Sequence, residues 1–410
     1  MKLLLLKSYS FIFLFLSLLS CSEAHKQVGD CPVINVEKSI DEKNYSVQRL
    51  SDYAQKIVYI PLETTDSSLV QLSEGILLEN GRLFIDSNNN DCLSFAEKDG
   101  SFLGRIGRLG EGPEEFLTIR GMDISQDGKR ILISSVKRGL EYSIDGKFIR
   151  DIKFPEVEDY TAYSVAYLSN NLFFYSFISW KTPEYESCIA TDSGVVKQIF
   201  KEYQPIIKTE NSGFSFMEIA DISHVGNTLH SYRRRSDTIY AIDGIGNREP
   251  VYVVNLGKYK SSFKDEKELE DEFNGKKIPV IGYLESNQYS FFRFWFGQYA
   301  PEPFEETNYN SKGEKRTLVN TVVYGIYNKE TGSMILLNLP SPGNQGLLND
   351  LDGGPAFWPQ YISKDGKMAM LIDAEKFIEA CENIKNPSPE IKKVLDRLGL
   401  EDNPVLVVAY

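Results

Sequence analysis

The chain has 410 residues, 42% of them hydrophobic and 25% charged, a composition that excludes a disordered or fibrous protein. Its net charge is −13, from 45 basic and 58 acidic residues, which argues against nucleic acid as a partner. Only three histidines are present, so a zinc or haem site built from histidine is not expected. The length suits two or three domains, or one large all-β domain.

The first twenty residues have the pattern of a secretory signal peptide. Lys2 and Lys7 supply the positive start, and residues 11–16 supply the apolar centre. The apolar run is too short to cross a bilayer core of ~30 Å. Residues 18–21, with the sequence LLSC, resemble a bacterial lipobox, which implies cleavage before Cys21 and acylation of that cysteine. Ordinary secretion, with Cys21 left in the discarded peptide, is the alternative.

Residues 21–45 are polar and show no sustained periodicity. We therefore predict that they form a flexible tether between the acylated Cys21 and a folded domain over residues 46–410. The other four cysteines are widely scattered and form no CxxC pair. Neither a disulfide framework nor a cysteine metal site is expected.

From residue 92 onward one local pattern recurs, in which apolar stretches flank a tight turn built on glycine. Its five turn glycines are Gly100, Gly146, Gly194, Gly244 and Gly332, and the first four are 46 to 50 residues apart. Such a turn predicts a β-hairpin, because glycine readily adopts the positive φ that it needs. Another strand-like run precedes each hairpin, and a sixth run follows; these runs are residues 82–86, 130–134, 172–177, 228–232, 291–296 and 368–373.

Four strands in every ~45–50 residues is typical of a β-propeller blade, and the pattern predicts an all-β, six-bladed propeller. The third strand of the sixth blade is predicted at Pro404–Tyr410, and its fourth at Lys56–Pro61. That pairing would close the ring and remove its open edges. Small helical insertions are predicted near residues 262–273 and 374–398. A pair of β-sandwiches is the alternative, but it would not explain the regular spacing.

Five short motifs occur in order along these repeats: IPLETT from residue 60, GRIGRLGEGPEEF from 104, SDTIY from 236, DLDGGP from 350 and NPVLV from 403. Together they are similar to a family of six-bladed β-propeller lipoproteins from Bacteroidetes, whose blades resemble NHL repeats. The resemblance covers roughly residues 50–410. It implies the fold and an envelope location, and it brings no settled activity with it.

Propeller geometry predicts which face carries the binding site. Turns between the first and second strands of each blade lie on one face, and the loops that leave the second strand or enter the next blade lie on the other. The long, varied segments of this chain all fall on the second face, so ligand binding is expected there. The candidate ligand-binding residues are Arg105, Arg108, Arg120, Glu218, Arg233, Arg235, Asp350, Asp352 and Trp358.

Two groups of arginines are candidates for binding an anion. Gly107–Pro113 offers backbone amides beside Arg105 and Arg108. It lacks the Lys-Ser/Thr pair that ends a nucleotide-binding P-loop, so a nucleotide is not expected. The alternative is a glycine-rich crossover whose arginines pair with acids. Arg233 and Arg235 end a strand at the predicted mouth, where they would bind a carboxylate or form salt bridges between blades.

The remaining candidates have equally open roles. Arg120 and Glu218 are expected on first strands facing the channel, where they bind ligand or pair with other polar groups. Asp350 and Asp352 precede two glycines, a pattern open to calcium or sugar hydroxyls, with Trp358 as a stacking surface. An Asx turn, with Trp358 between blades, is the alternative.

The aromatic stretch at residues 289–299 is predicted to pack between blades, with one face able to present Arg293 and Trp295 to a ligand.

The sequence contains no hydrolase or metalloprotease motif such as GxSxG or HExxH. It therefore favours a lipid-anchored binding module of the cell envelope, held to the membrane by its lipid, that recognises a peptide, glycan or partner protein. No cofactor is expected beyond calcium at the aspartates. The alternative is a metal-dependent lactonase or lyase, with Glu74, Glu218 and Asp352 around a cation in the channel. Attachment to the outer membrane is expected, on a face that the sequence leaves undecided.

Overall fold

The computed structural model describes residues 28–71, 73–87, 91–158, 160–178, 185–201, 220–234, 236–261, 266–309, 315–337, 346–382, 384 and 386–410. Its N-terminal part contains three short strands and one helix, with 3-10 turns at Val28–Asp30 and Leu50–Asp52. These elements are β1 (Val33–Asn35), α1 (Val36–Asp41), β2 (Tyr45–Ser46) and β3 (Ile57–Pro61).

Six sheets lie around a central channel. Among the strands that follow residue 72, the innermost strand of each blade comes first in sequence. Blade 1 contains β4 (Ser73–Glu79), β5 (Arg82–Ser87), β6 (Asp91–Ala96) and β7 (Phe102–Arg105). Blade 2 contains β8 (Gly121–Ile124), β9 (Arg130–Ser134), β10 (Arg138–Ser143) and β11 (Phe148–Lys153). Blade 3 contains β12 (Thr161–Tyr167), β13 (Leu172–Ile178), β14 (Tyr185–Thr191) and β15 (Val196–Lys201).

The second half of the ring carries the insertions. Blade 4 contains β16 (Asp221–Val225), β17 (Thr228–Tyr232), β18 (Thr238–Ile242) and β19 (Arg248–Asn255), and is followed by a 3-10 turn at Gly257–Tyr259 and by α2 (Glu266–Phe273). Blade 5 contains β20 (Val280–Glu285) and β21 (Tyr289–Trp295), a 3-10 turn at Gly297–Tyr299, the inserted hairpin β22 (Phe304–Tyr309) and β23 (Lys315–Asn320), then β24 (Val322–Asn328) and β25 (Ser333–Leu337). Blade 6 contains β26 (Tyr361–Ile362), β27 (Met368–Ile372), α3 (Ala374–Glu382), α4 (Pro389–Leu395) and β28 (Val405–Ala409).

Blade 6 is built from both ends of the described chain. Strand β3 pairs antiparallel with β28, so that Ile57 lies opposite Ala409 and Pro61 opposite Val405. The six-bladed propeller, the closure of its last blade by an N-terminal strand, and the small helical insertions are therefore confirmed. No helix in the described parts of the chain is long and apolar enough to cross a membrane.

The N-terminal segment does more than the predicted tether. Strand β1 adds a parallel fifth strand to blade 4 through β19, and β2 does the same for blade 5 through β25. Ile34 and Val36 are completely buried between these elements. Residues 33–46 thus belong to the propeller, because their few apolar side chains cover its outer strands. Two- and three-residue strands are too short for their alternation to stand out in the sequence.

Positive φ angles occur at the predicted hairpin turns. Gly100, Gly146, Gly194 and Gly332 have φ values of 75°, 86°, 79° and 69°. In blade 4 this role falls to Gly246, with φ 96°, rather than to the predicted Gly244. The turn at Gly100 also touches β3, since a Cβ there would stand 2.1 Å from the carbonyl oxygen of Pro61.

The core of the described chain consists of apolar clusters between neighbouring blades. Between blades 1 and 2, for example, Phe84 packs with Ile131 and Ile133, and between blades 5 and 6 Phe291 packs with Val407. Cys31, Cys92, Cys188 and Cys381 are buried free thiols. This packing holds the innermost strands rigidly around the channel, and their ends form the rim where a ligand can enter.

Candidate functional site

A cavity of about 660 Å3 lies at one end of the channel. Its lining comes from blades 1, 4, 5 and 6 and includes Gly75, Asp221, Arg234, Gly282, Arg293 and Trp358. These residues lie where first strands begin or second strands end, so the cavity is on the loop-rich face. Its volume is within the ~300–1,000 Å3 that is typical of small-ligand sites.

Two glycines on innermost strands line this mouth. Gly75 is on β4 and Gly282 on β20, each beside a bulge in the pairing with the second strand. Neither has the positive φ that only glycine adopts easily. Glycine is unfavourable within strands, and where it occurs it often marks a bulge or a close approach to the backbone. At Gly75 no described atom would lie within 4 Å of an added Cβ, so this glycine leaves open space beside the cavity.

Arg293 is an exposed cation at the mouth. It is on β21 opposite Gly282, and its Nε would stand 2.6 Å from a Cβ at that glycine. The guanidinium therefore lies across the innermost strand, along the cavity wall. Within the part of the chain that the structure describes, its side chain has no hydrogen-bond or ion-pair partner.

The other charged side chains of the cavity have partners. Arg234 makes two hydrogen bonds to Asp221, each 2.9 Å long. Lys376 forms an ion pair with Asp373 one helical turn away, at 3.2 Å, and both side chains are largely exposed. Each pair neutralises its own charge, so Arg293 is the cation left without a counter-ion among the described residues of the lining.

Trp358 lines the cavity without offering a ring face to it. It is only 8% exposed and packs between blades, with its ring centroid 5.5 Å from that of Phe291 and 4.4 Å from that of Tyr324. Trp358 is thus a core residue between blades, which was the alternative to a stacking surface, and only its edge reaches the cavity.

Arg120 lies in the channel, beside a smaller cavity of about 170 Å3 that shares Gly75 with the larger one. Its guanidinium carbon is 5.0 Å from the ring centroid of Tyr163. One terminal nitrogen of Arg120 is buried and donates no hydrogen bond to any of the described residues. This candidate therefore adjoins the mouth, on the side of blades 1 to 3.

The glycine-rich loop binds a carboxylate of its own. Gly112 donates its backbone N–H to Oε2 of Glu115 at 2.9 Å, and Nε of Arg108 lies 2.5 Å from Oε1 of the same residue. The hydrogen bond from Gly112 and the charge of Arg108 lower the pKa of Glu115. Arg105 pairs with Asp91 at 3.4 Å. The position predicted for an external anion is thus filled by Glu115.

The two aspartates before the double glycine make structural hydrogen bonds. Oδ1 of Asp352 accepts from the hydroxyl of Tyr59 at 2.9 Å, the amide of Asn349 at 2.8 Å and the N–H of Gly354 at 3.1 Å. Asp350 accepts from the backbone N–H and the hydroxyl of Ser51, at 3.0 and 2.7 Å. They join the last blade to the N-terminal segment and lie away from the cavity lining.

Arg233 is buried, 9% exposed, at the end of β17. Cys21, Glu218 and Arg235 lie outside the described residues, as does the signal peptide, and nothing is described of the Glu74 side chain. Within the described ranges, no group of three or more His, Cys, Asp or Glu side chains is arranged to hold a metal ion.

At the opposite end, polar groups from four blades converge and narrow the channel. Nζ of Lys364 donates to the carbonyl oxygen of Ser125 at 2.8 Å, while the backbone N–H of Lys364 donates to Glu79 at 2.8 Å. His224 and Asp123 are joined by a 2.9 Å contact. Burial lowers the pKa of Lys364 and raises that of Glu79. The cavities there measure about 340 and 120 Å3, so the loop-rich face has the roomier one.

A buried carboxylate lies between blades 4 and 5, at the end of β20 that is farther from the mouth. Glu285 follows the cavity residues Tyr283 and Leu284 on β20; it contacts Nδ1 of His230 at 2.7 Å and Nζ of Lys329 at 2.5 Å. Burial opposes its ionisation, but the hydrogen bond from His230 and the nearby positive charges outweigh that effect, so the pKa of Glu285 is below its usual range.

Sequence reasoning missed Gly75, Gly282 and Asp221 as site residues and did not rank Arg293 among its candidates. One signal was available: glycines outside turn motifs, within strands of otherwise large residues, indicate close approach. Their convergence across blades was not visible in the sequence.

Residues 31–410 match a family described as a domain of unknown function, DUF4934. The chain belongs to this family. No curated protein matches the DUF4934 chain.

Solved structures also resemble it. A protein from Bacteroides fragilis NCTC 9343, whose name assigns it to the exported proteins, shares 18% identity and a TM-score of 0.61, over 87% of this chain and 94% of that one. A DUF4221 family member from Bacteroides vulgatus ATCC 8482 has 14% identity and a TM-score of 0.47, over 87% and 96%. An inactive variant of virginiamycin B lyase from Staphylococcus aureus has 12% and 0.39, over 87% and 100%. The first likeness shows the fold; the other two carry no argument.

Proposed function

We propose that this DUF4934 protein is a lipid-anchored binding module of the cell envelope, which holds its ligand at the loop-rich mouth of the propeller. The lipobox-like residues before Cys21 support the anchor and an outer-membrane location. The name of the Bacteroides fragilis protein with the same fold supports export. Peptide, glycan and partner protein all remain candidates at this level of the proposal.

The observation that carries the proposal is the cavity of about 660 Å3 at the mouth. It is lined by residues of four blades, and Gly75, whose φ does not require glycine, leaves open space beside it. A strand glycine can mark a place where a ligand approaches the backbone closely, which supports binding at this mouth. A rigid ring with a preformed, partly apolar cavity matches the usual architecture of a binding site.

The test is to fill the mouth without disturbing the fold. Gly75→Trp places a large ring in open space at a position where φ permits any residue. Gly29→Trp is the matched control, since no described atom lies within 4 Å of its added Cβ and it is exposed, in the N-terminal 3-10 turn. Both variants and the wild type are purified from their native envelope, with and without crosslinking, after circular dichroism has shown that they are folded.

Mass spectrometry of each preparation then quantifies the co-purifying peptides, glycans and crosslinked proteins. We expect at least one species in stoichiometric amount with the wild type and Gly29→Trp, and its loss with Gly75→Trp. If the same species remain with Gly75→Trp, the mouth is not the binding site and the proposal fails.

A further inference from the structure

We infer that the ligand presents a carboxylate to Arg293 and that this carboxylate is the C-terminal end of a peptide. This inference rests on the proposed binding function and names the class of ligand for the same cavity. It follows from the charge, the free hydrogen-bonding capacity and the shape of the mouth.

The charge of the cavity differs from that of the whole chain. The protein carries a net charge of −13, yet the described charged residues of this lining are Arg234, Arg293 and Lys376 against Asp221 and Asp373. Arg234 is satisfied by Asp221, and Lys376 by Asp373. One positive charge is therefore left over in an acidic protein, and it belongs to Arg293.

Arginine suits a carboxylate better than other anchors. Its planar guanidinium presents parallel N–H donors that match the two oxygens of a carboxylate, and such bidentate pairs are among the stronger hydrogen bonds in proteins. At Arg293 these donors contact no acceptor within the described chain, and the bare backbone of Gly282 holds the group along the cavity wall. A carboxylate is the ligand group that completes this arrangement.

The remaining walls favour a peptide over an acidic sugar. Leu284, Leu371 and Ile372 are half-buried and line the same cavity, so they can receive an apolar side chain next to the carboxylate. The aromatic residues of the lining are almost closed to solvent: Tyr283 is 4%, Phe291 2% and Trp358 8% exposed. None of them offers the open ring face on which sugars stack. A slim chain end can lie against the glycine backbone at Gly75.

The experiment uses the full acylated protein in detergent micelles and two probes. The first is a mixed library of tetrapeptides with free C-terminal carboxyl groups, and the second is the same library with C-terminal amides. Oligogalacturonate fragments are dialysed in parallel as the acidic-sugar comparison. Peptides retained after equilibrium dialysis are quantified by mass spectrometry. Arg293→Gln removes the anchor charge, Gly75→Trp fills the mouth, and Arg397→Gln is the control, since Arg397 is exposed at the end of α4, outside the cavity lining.

We expect the wild type and Arg397→Gln to retain free-acid peptides with apolar last residues at least about tenfold more strongly than amidated ones, the difference expected from a charge-assisted pair. Arg293→Gln should abolish this preference, and Gly75→Trp should abolish retention of both libraries.

Three results would overturn the inference. If acids and amides are retained equally and Gly75→Trp loses both, the ligand is not recognised by a carboxylate, although the proposed binding at the mouth still holds. If oligogalacturonate fragments are retained and peptides are not, the ligand is an acidic sugar and not a peptide. Retention of free acids that Gly75→Trp does not change places the binding elsewhere and also contradicts the proposed function.

Discussion

The guanidinium of Arg293 lies across Gly282, so that a Cβ on this glycine would stand 2.6 Å from Nε and 2.9 Å from a terminal nitrogen of the arginine. The two residues are partners in the register of β20 and β21, beside a bulge between Val280 and Gly282. The position of the cation at the mouth therefore depends on the absence of a side chain on the neighbouring strand.

Gly282→Ala should displace Arg293 while leaving the fold intact. The clash involves the flexible end of the arginine, and alanine is better tolerated in strands than glycine, so we expect the free energy of unfolding to change by less than about 1 kcal/mol. Binding of free-acid tetrapeptides should weaken several-fold. Urea unfolding and equilibrium dialysis measure the two effects. Gly121→Ala is the control, because its Cβ would meet only ordinary contact with Ser164 at 3.7 Å; equal weakening in both variants would contradict the prediction.

Glu285→Gln should destabilise the protein by about 3–5 kcal/mol at neutral pH, because it leaves the charge of buried Lys329 without its counter-ion. The pKa of Glu285 is lowered in the folded state. Its contribution is thus fully present above the ordinary carboxyl pKa of ~4.3 and is lost as the pH falls through the lower folded value. Wild type and variant should converge in acid. Urea unfolding at several pH values measures the difference in unfolding free energy between wild type and variant, with Glu330→Gln, at an exposed position, as control. A difference that does not change with pH would show that the ionisation of Glu285 does not stabilise the fold.

Glu115→Gln should loosen the glycine-rich loop. The carboxylate accepts from Gly112 and pairs with Arg108, and its pKa is lowered by both. Because the group is partly exposed and its charge is screened by solvent, we expect a small loss of unfolding free energy at pH 7, which disappears as Glu115 becomes protonated in acid. The neighbouring Glu114→Gln should have no effect, since only the backbone carbonyl of Glu114 holds Tyr142. Identical urea midpoints for both variants would show that the carboxylate does not order the loop.

Asp352→Ala should cost about 2 kcal/mol, because the hydroxyl of Tyr59 and the amide of Asn349 lose their shared acceptor. Asp350→Ala should cost less, since its contacts with Ser51 are exposed. Both carboxylates already accept hydrogen bonds from several protein groups, so they are not free to bind a cation. Millimolar calcium should therefore leave the melting temperature of the wild type unchanged. A calcium-dependent rise that Asp352→Ala removes would instead establish a metal site there.

Cys21→Ser should release the protein from the membrane fraction and prevent incorporation of an alkyne-labelled fatty acid, because stable anchoring requires covalent acyl chains. Ser22→Ala should behave as the wild type. Cell fractionation and in-gel fluorescence report both properties. Unchanged labelling of Cys21→Ser would show that the cysteine is not the acylated residue.

The blades were predictable because their signals are local. Glycine with positive φ at turns such as Gly100 and Gly146, and the alternation in runs such as residues 130–134, depend on residues only a few positions apart. Regular spacing then limits the architecture to a propeller, and the need to close a ring explains why β3 pairs with β28. Strands β1 and β2 were not predictable, because pairs and triplets of residues carry no measurable period.

The binding residues depended on folding distant segments together. Asp352 and Arg108 are charged residues of the kind that often binds ligands. Asp352, however, accepts a hydrogen bond from Tyr59, and Arg108 pairs with Glu115, so neither side chain is available to a ligand. Arg293 is one charge in an aromatic strand. Its importance comes from the bulge beside Gly282 and from the fact that no acid among the described residues pairs with it. Hydrogen-bond satisfaction and empty space are properties of three-dimensional neighbours, so the chain order of residues defines the scaffold while the packing of its blades selects the site.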